Sequence, residues 1–338
     1  MASSITNLTL PPGDADRCAA HPSACFIIPT LKRPSYLSSC LASIQAQTIH
    51  PASILVGIRR DDEQSIAVVN EFADRIPVRA IEAKGTGVIG SMSSCLIEAP
   101  EDLVATLDDD VELPPHWLET MMGHLQQHTD VLAAAGRDLL LDHPDMRRLE
   151  PRSDDVGTVH WYGRITGNHH RGGGKPRRVD VLRGSNCLFR GSFLREVGFE
   201  QGLRGQGAQV SWELALAFQA MHRRKRFLYD PNVGVLHHVA PRLDRDSLHR
   251  GHFDPVGTSD SAFNETFVTA RHATGFRKWT SLIYQVVVGS PLAPGVLHSL
   301  RQLLHADRHA ASRLRATIRG RAAAIGCSIR ASDADAIE

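Results

Sequence analysis

Between Cys25 and Leu107 the chain alternates short, unbroken apolar runs with longer stretches whose apolar residues recur every three or four positions. The runs Cys25–Ile28, Ser53–Ile58, Val78–Ile81 and Leu103–Leu107 predict strands buried on both faces of a parallel sheet. The stretches between them, Ser35–Gln47, Glu63–Arg75 and Ser91–Glu98, predict helices, and in the first of these Leu37, Leu41, Ala42 and Ile44 repeat at helical spacing. An amphipathic helix is also predicted from His116 to His128. This alternation predicts an α/β fold, and ligands of such sheets sit beyond the carboxyl ends of the strands. Thr30, the Arg59–Asp62 loop and the triplet Asp108-Asp109-Asp110 all fall at that edge.

Past Ala133 the pattern loosens, and Arg164–Arg178 is rich in Gly, His and Arg, as in surface connections that carry binding groups. Asn168-His169-His170 with Arg171, Lys175, Arg177 and Arg178 reads either as contacts to acceptor or diphosphate or as a solvated run. Strands are predicted at Val179–Leu182 and Cys187–Arg190 around Gly184-Ser185-Asn186, and helices from near Ser192 and over Ser211–His222. An extended segment Arg226–Leu236 then leads to His237-His238, and helical patterns dominate from Ala262. The expected division is an N-terminal arm (1–24), a main domain (25–250) made of an alternating α/β part (25–135) and a looser part (136–250), and a helical basic extension (251–338).

An apolar content of 42%, a charged content of 22% and a net charge of +1 exclude a disordered chain and a strongly basic nucleic-acid binder. Six cysteines without a Cys-X-X-Cys pair fit a reducing cytoplasm. The first 24 residues lack the pattern of a secretory signal, and the apolar stretch Leu282–Leu297 is interrupted by Gly289, Pro291, Pro294 and Gly295, which makes it a poor membrane span. From Arg301 to Arg330 there are seven Arg against one acid, Asp307. With Trp279 and Tyr284, this end reads either as peripheral contact with the inner membrane face or as a helical cap with a solvated Arg face.

Three adjacent carboxylates at a strand end repel one another unless a cation is present. Asp108, Asp109 and Asp110 therefore read as a metal-diphosphate site for Mn2+ or Mg2+, the competing reading being an acidic turn before the next helix. Gly85-Thr-Gly87-Val-Ile-Gly90 matches a dinucleotide fingerprint. Against a nicotinamide or flavin enzyme stand its position after the first βαβ unit and the neighbouring acidic triplet.

Phe26-Ile27-Ile28-Pro29-Thr30 with Arg33-Pro34, Leu107-Asp108-Asp109-Asp110-Val111 with Pro114 and Trp117-Leu118, Gly184-Ser185-Asn186-Cys187-Leu188-Phe189-Arg190, Trp212-Glu213-Leu214, and Tyr229-Asp230-Pro231 through His237 occur in this order. The ordered set, spanning about Cys25 to Arg242, resembles the family 2 glycosyltransferases. The resemblance implies a GT-A-type fold for residues 25–250 as a catalytic domain, with a nucleotide-binding half (25–135) and an acceptor half (136–250), a mixed, mostly parallel sheet flanked by helices, and a divalent metal between donor diphosphate and protein. By the same resemblance Pro29, Thr30, Arg33, Arg59, Asp61, Asp62, Asp108, Asp109 and Asn186 would contact a nucleotide-sugar donor. Asp108, Asp110 and His237 would hold the metal, with His238 the alternative if the register differs.

An acceptor hydroxyl must lose a proton as it attacks the sugar, so a carboxylate is needed on the acceptor side. Glu213 is the candidate base; the competing role is a helix N-terminal carboxylate favoured by the macrodipole. The chain departs from the family where many relatives carry an acidic pair, having Gln209-Val210-Ser211 instead, and again at Arg59-Arg60-Asp61-Asp62, whose arginines read as phosphate contacts or surface charge. Asn186 reads as a sugar contact or a turn residue, and Trp161 and Trp212 as stacking platforms or core. The expected function is metal-dependent, inverting, single-displacement transfer of a sugar from a nucleotide donor to a hydroxyl of a glycan or lipid-linked acceptor in cell-envelope glycan synthesis. The alternatives are a catalytically silent sugar-nucleotide or glycan-binding module and an NAD(P)-dependent enzyme.

Overall fold

A computed structural model describes residues 22–141, 152–241, 253–290 and 293–335. The arm expected at 1–24 therefore falls almost wholly outside the described residues. The first half alternates β1 (Ala24–Pro29), α1 (Pro34–Gln45), β2 (Ser53–Ile58), α2 (Glu63–Phe72), β3 (Val78–Glu82), α3 (Gly87–Ile97) and β4 (Leu103–Leu107). There follow β5 (Val111–Glu112), α4 (Trp117–Gln127), β6 (Val131–Leu140), the short strands β7 (Thr158–Val159), β8 (Ile165–Thr166) and β9 (Arg177–Val179), then β10 (Asn186–Arg190), α5 (Gly191–Val197), α6 (Trp212–His222) and β11 (Arg226–His237). Four helices complete the described chain: α7 (Pro255–His272), α8 (Gly275–Val287), α9 (Val296–Leu304) and α10 (Ala310–Asp335).

The main sheet runs β3-β2-β1-β4-β10-β6-β11-β5, with β9 also paired to β11. The first four strands are mutually parallel; β10 is antiparallel to β4 and β6, and β6 and β11 are parallel. In β1, β2 and β4 the apolar runs are unbroken because both faces are covered, whereas β3, at the sheet edge, is exposed at Arg79, Ala80 and Glu82, contrary to the expectation of burial on both faces. Phe26 and Ile28 pack with Leu37, Leu41 and Trp117 on one side, while Cys25 and Ile27 pack with Met92 and Cys95 on the other. Pro34 starts α1, where its missing N–H costs no helical bond, and Leu37, Cys40, Leu41 and Ile44 form the buried stripe.

Three segments differ from the sequence expectation, the first being Val179–Leu182, where the strand expected is instead β9, ending at Val179, and residues 180–182 carry no strand. Val131–Leu140, most of which lies past Ala133 where the pattern loosens, is a ten-residue strand between β10 and β11. Its Ala133-Ala134-Ala135-Gly136 stretch carries little apolar signal, yet Ala133 to Ala135 are buried. Helix α3 starts at Gly87 rather than Ser91, because its first N–H groups find partners more than a hundred residues away in sequence. Trp212 is core: its ring lies over Gly184, where an added Cβ would come within 1.9 Å of it. Trp161 is 60% exposed. The described cysteines are free thiols, and no helix of the described residues is long and apolar enough to cross a membrane.

Candidate active site

Beyond the carboxyl ends of β1 and β4 lies a cleft of about 1280 Å³. One wall is made by strand ends. The chain leaves β4 through Asp108-Asp109-Asp110 and enters β5, which pairs antiparallel with the end of β11, setting His237 opposite Val111. His238 N–H donates to the Asp110 carbonyl at 2.9 Å and Ala240 N–H to Asp110 Oδ2 at 2.9 Å. This pairing brings together groups 127 residues apart: His237 Nε2 lies 3.4 Å from Asp110 Oδ1 and 4.0 Å from Asp108 Oδ2. All three donor atoms fall within 4.8 Å of one another. Of the two adjacent histidines, His237 is the one that joins them, since His238 turns away to Glu112 at 2.6 Å.

Desolvation and then Asp110 push the Asp108 carboxyl above its ordinary range. For His237 burial favours the neutral ring, but Asp138, Asp110 and Asp108 outweigh it and raise the pKa. Asp138 escaped the sequence reading. It lies on β6 two residues before Leu140, the register partner of His237, and so on the same face of the sheet. Its buried Oδ1 accepts from Ser185 Oγ at 2.7 Å and Asn186 Nδ2 at 2.8 Å and lies 3.7 Å from His237 Nδ1. Burial opposes its charge, but Arg183 and then His237 hold its carboxyl well below the usual range. A carboxylate behind the second nitrogen of an imidazole orients the ring and raises its basicity. The one signal in the chain was a charged pair, Arg137-Asp138, inside an otherwise apolar run.

Three residues expected to touch a donor do not line the cleft, and each has an internal role instead. Asp109 is fully buried, accepts from Thr30 Oγ1 at 2.6 Å and pairs with Arg33 at 2.6 Å. Burial nevertheless pushes its pKa up to about 7. Asp62 caps α2, accepting from Ser65 N–H at 3.2 Å, and also accepts from Lys32 N–H. Asn186 accepts from Gly136 N–H at 2.7 Å and donates to Asp138, which makes it a support beneath the site. Pro29, Thr30, Arg33, Arg59, Asp61, Asp108, Asp110 and His237 do line the cleft. Arg59 and Asp61 form an exposed rim pair at 3.1 Å, joined by Lys32 at 3.2 Å. Of the Gly- and Arg-rich loop, Asn168, His169 and His170 reach the cleft, whereas Arg177 and Arg178 pair with Asp154 and Asp130.

The facing wall comes from α6, α7 and their loops. Glu213 sits in the first turn of α6 and lines the cleft, with Oε1 accepting from Gly184 N–H at 3.4 Å. Burial pushes its pKa up to about 7, against the pull of its own N–H and that of Gly184. Gln209, at the place where the family often has acid, turns the other way: its Oε1 accepts from Ile89 N–H at 3.0 Å, and the Gly207 carbonyl accepts from Val88 N–H at 2.8 Å. The head of α3 is thus closed by the protein's own loop. This overturns the dinucleotide reading of Gly85–Gly90, because these N–H groups would have to meet a pyrophosphate.

A mostly parallel sheet of this order, with a carboxylate–imidazole cluster where the strands end, defines a GT-A-type glycosyltransferase. The sequence profile of glycosyl transferase family 2 matches residues 25–198, just over half of the chain, and the protein belongs to that family. A relative, the glucosyl-dolichyl phosphate glucuronosyltransferase of Haloferax volcanii, is 25% identical over 171 residues, 50% of this chain and 52% of the relative. The chain thus spans about half the length of that relative. In shape it is similar to S. aureus TarS 1–349 in complex with UDP-GlcNAc, with a TM-score of 0.60 and 11% identity over 88% of this chain and 81% of that one. The same protein in complex with UDP gives 0.55 and 11% over 88% and 90%. At such identity the likeness speaks for the fold.

Proposed function

We propose that this glycosyltransferase is metal-dependent and moves a sugar from a nucleotide-sugar donor to an acceptor hydroxyl, with inversion in a single displacement. The observation that carries this reading is that Asp108, Asp110 and His237 line the same cleft as Glu213. Two carboxylates and an imidazole suit Mn2+ or Mg2+. The fit is supported by the placement of His237, whose Nε2 faces the two carboxylates while the Asp138 carboxylate lies 3.7 Å behind Nδ1. Asp108, Asp110 and His237 would hold the ion, and when bound it supplies positive charge against the departing diphosphate.

The remaining work falls to the chain's own groups. Pro29, Thr30, Arg59 and Asp61 border the region where a nucleoside would lie. Arg33 bridges Asp109 and Asp110 and keeps the latter carboxylate oriented. Glu213 forms no ion pair among the described residues, and a carboxyl with a pKa of about 7 is matched to taking a proton from a hydroxyl near neutrality. The TarS complexes with UDP-GlcNAc and UDP favour a nucleotide-sugar donor, and the name of the Haloferax relative favours a lipid-linked acceptor. A cytoplasmic setting or the inner membrane face fits such a donor and the free thiols.

The test is thermal stabilisation by a panel of nucleotide sugars with and without Mn2+, followed by turnover. A donor that binds only the folded state raises its stability. Asp110→Asn is expected to abolish the Mn2+-dependent part of that stabilisation together with activity. Tight Mn2+-dependent donor binding by the native chain, without hydrolysis or transfer to any acceptor, would instead identify a silent binding module.

A further inference from the structure

Helices α8 and α9 invert the usual pattern of burial. In α8 the buried side chains are Ser281 and Gln285, the latter hydrogen-bonded to Thr266 at 3.0 Å and Thr269 at 2.9 Å of α7. On the opposite face Phe276, Trp279, Ile283 and Val286 are 48–72% exposed. In α9 the buried residue is Ser299, while Leu297, Leu300 and Leu304 are 52–86% exposed. The turn between the helices is tight, with Gly295 N–H donating to the Val288 carbonyl at 2.9 Å, so the start of α9 lies against the end of α8. Trp161 extends the face, stacked on Phe276 with ring centres 6.0 Å apart. Monomeric soluble proteins rarely present so many large apolar side chains in one place without a partner for them.

Charge identifies the occupant. Residues 275–330 hold nine Lys or Arg, of which Arg321 is buried against the Ala293 and Pro294 carbonyls, and a single acid, Asp307, which already pairs with Arg313 at 2.6 Å. Lys278 adjoins Trp279 and Arg301 adjoins Leu300, so positive charge borders the apolar stripe. A second copy of the chain meeting this face through a two-fold axis would set the basic border against itself. An anionic bilayer takes apolar side chains into its acyl boundary and attracts the Lys and Arg around them, and the two signals together give stable attachment.

We infer that the α8–α9 face is a docking surface for an anionic lipid bilayer and lays the mouth of the cleft against the membrane. Ser290 and Ala293, in the turn between the two helices, line the cleft itself. A hydroxyl carried on a membrane lipid would therefore arrive beside the wall that holds Glu213. This last step rests on the transferase reading above; the docking does not.

The test uses the full chain with vesicles of phosphatidylcholine, with and without phosphatidylglycerol. Expected are co-sedimentation with the phosphatidylglycerol vesicles, a blue shift of tryptophan emission, and weakening of both by salt. The double variant Trp279→Glu/Leu300→Glu should partition about tenfold less or weaker still, with unchanged circular dichroism and unchanged donor stabilisation. Lys278→Glu/Arg301→Glu, which leaves the apolar face intact, should lose the preference for phosphatidylglycerol. The inference falls if the native chain stays in solution with both vesicles, if it binds both equally, or if light scattering shows a dimer that the Trp279 and Leu300 changes dissociate. Vesicle binding by a chain that binds no nucleotide sugar would sink the transferase reading and leave the docking surface standing.

Discussion

Asp110, on the strand-end wall of the cleft, accepts the Ala240 N–H at 2.9 Å and lies 3.4 Å from both Arg33 and His237; across the cleft, Glu213 accepts from the Gly184 N–H at 3.4 Å and has no ion pair among the described residues. The first wall is cross-linked. Its side chains come from the turn after β4, from β6 and from β11, whose backbone pairing sets their spacing, and the Asp138 carboxylate lies 3.7 Å behind His237. The second hangs on the head of one helix whose capping residue, Ser211, has a left-handed backbone at φ 81°. A cross-linked wall holds donor atoms at set distances, which coordination requires. A lone buried carboxyl has a proton that comes off near neutrality, which proton transfer requires. On the proposed reading, the first wall holds and the second moves a proton.

The largest expected effect is on the sparse wall. Glu213→Gln should lower turnover about a hundredfold to ten-thousandfold while donor stabilisation with Mn2+ stays as in the native chain. Native turnover should rise with pH and level off above about 7, where Glu213 is ionised, and the residual activity of the variant should lack that step. Equal loss of donor binding and turnover would place Glu213 among the binding groups.

On the cross-linked wall, Asp138→Asn keeps the shape but removes the charge behind His237. Activation by Mn2+ should then need about ten to a hundred times more ion, with a normal unfolding transition. An unchanged Mn2+ titration would detach Asp138 from the site.

Stability gives the smallest and sharpest contrasts. The Glu213 pKa is raised on folding from an ordinary 4.5 to about 7, so the stability it contributes is complete below about 4.5 and is lost as pH rises through about 7. Glu213→Gln should therefore unfold at a higher temperature than the native chain at pH 8 and lose that advantage at pH 4, with a difference of at most about 3 kcal/mol. Gln209→Ala, which uncaps the Ile89 N–H at the head of α3, should cost about 1–2 kcal/mol at all pH values. A pH-dependent loss there would mean that the loop is tied to Glu213.

The alternating strands and helices up to Leu107 and the crowding of Asp108, Asp109 and Asp110 were legible in the chain alone, whereas His237 entered only through the family resemblance. Local periodicity and the mutual repulsion of neighbouring carboxylates act over a few residues, and such effects are written in consecutive letters. The register of β5 against β11 decided that His237 rather than His238 meets the carboxylates. The packing of β6 decided that Asp138 stands behind it, and the approach of the Gly207–Gln209 loop decided that a glycine-rich fingerprint is a capped helix rather than a nucleotide cradle. The chain alone showed only a broken apolar stretch at Leu282–Leu297; the polar seat offered by Thr266 and Thr269 is what turned the apolar side chains of α8 outward. Each of these outcomes depends on partners 16 to 127 residues away, and which partners meet is settled by how the layers close on one another, not by any local pattern.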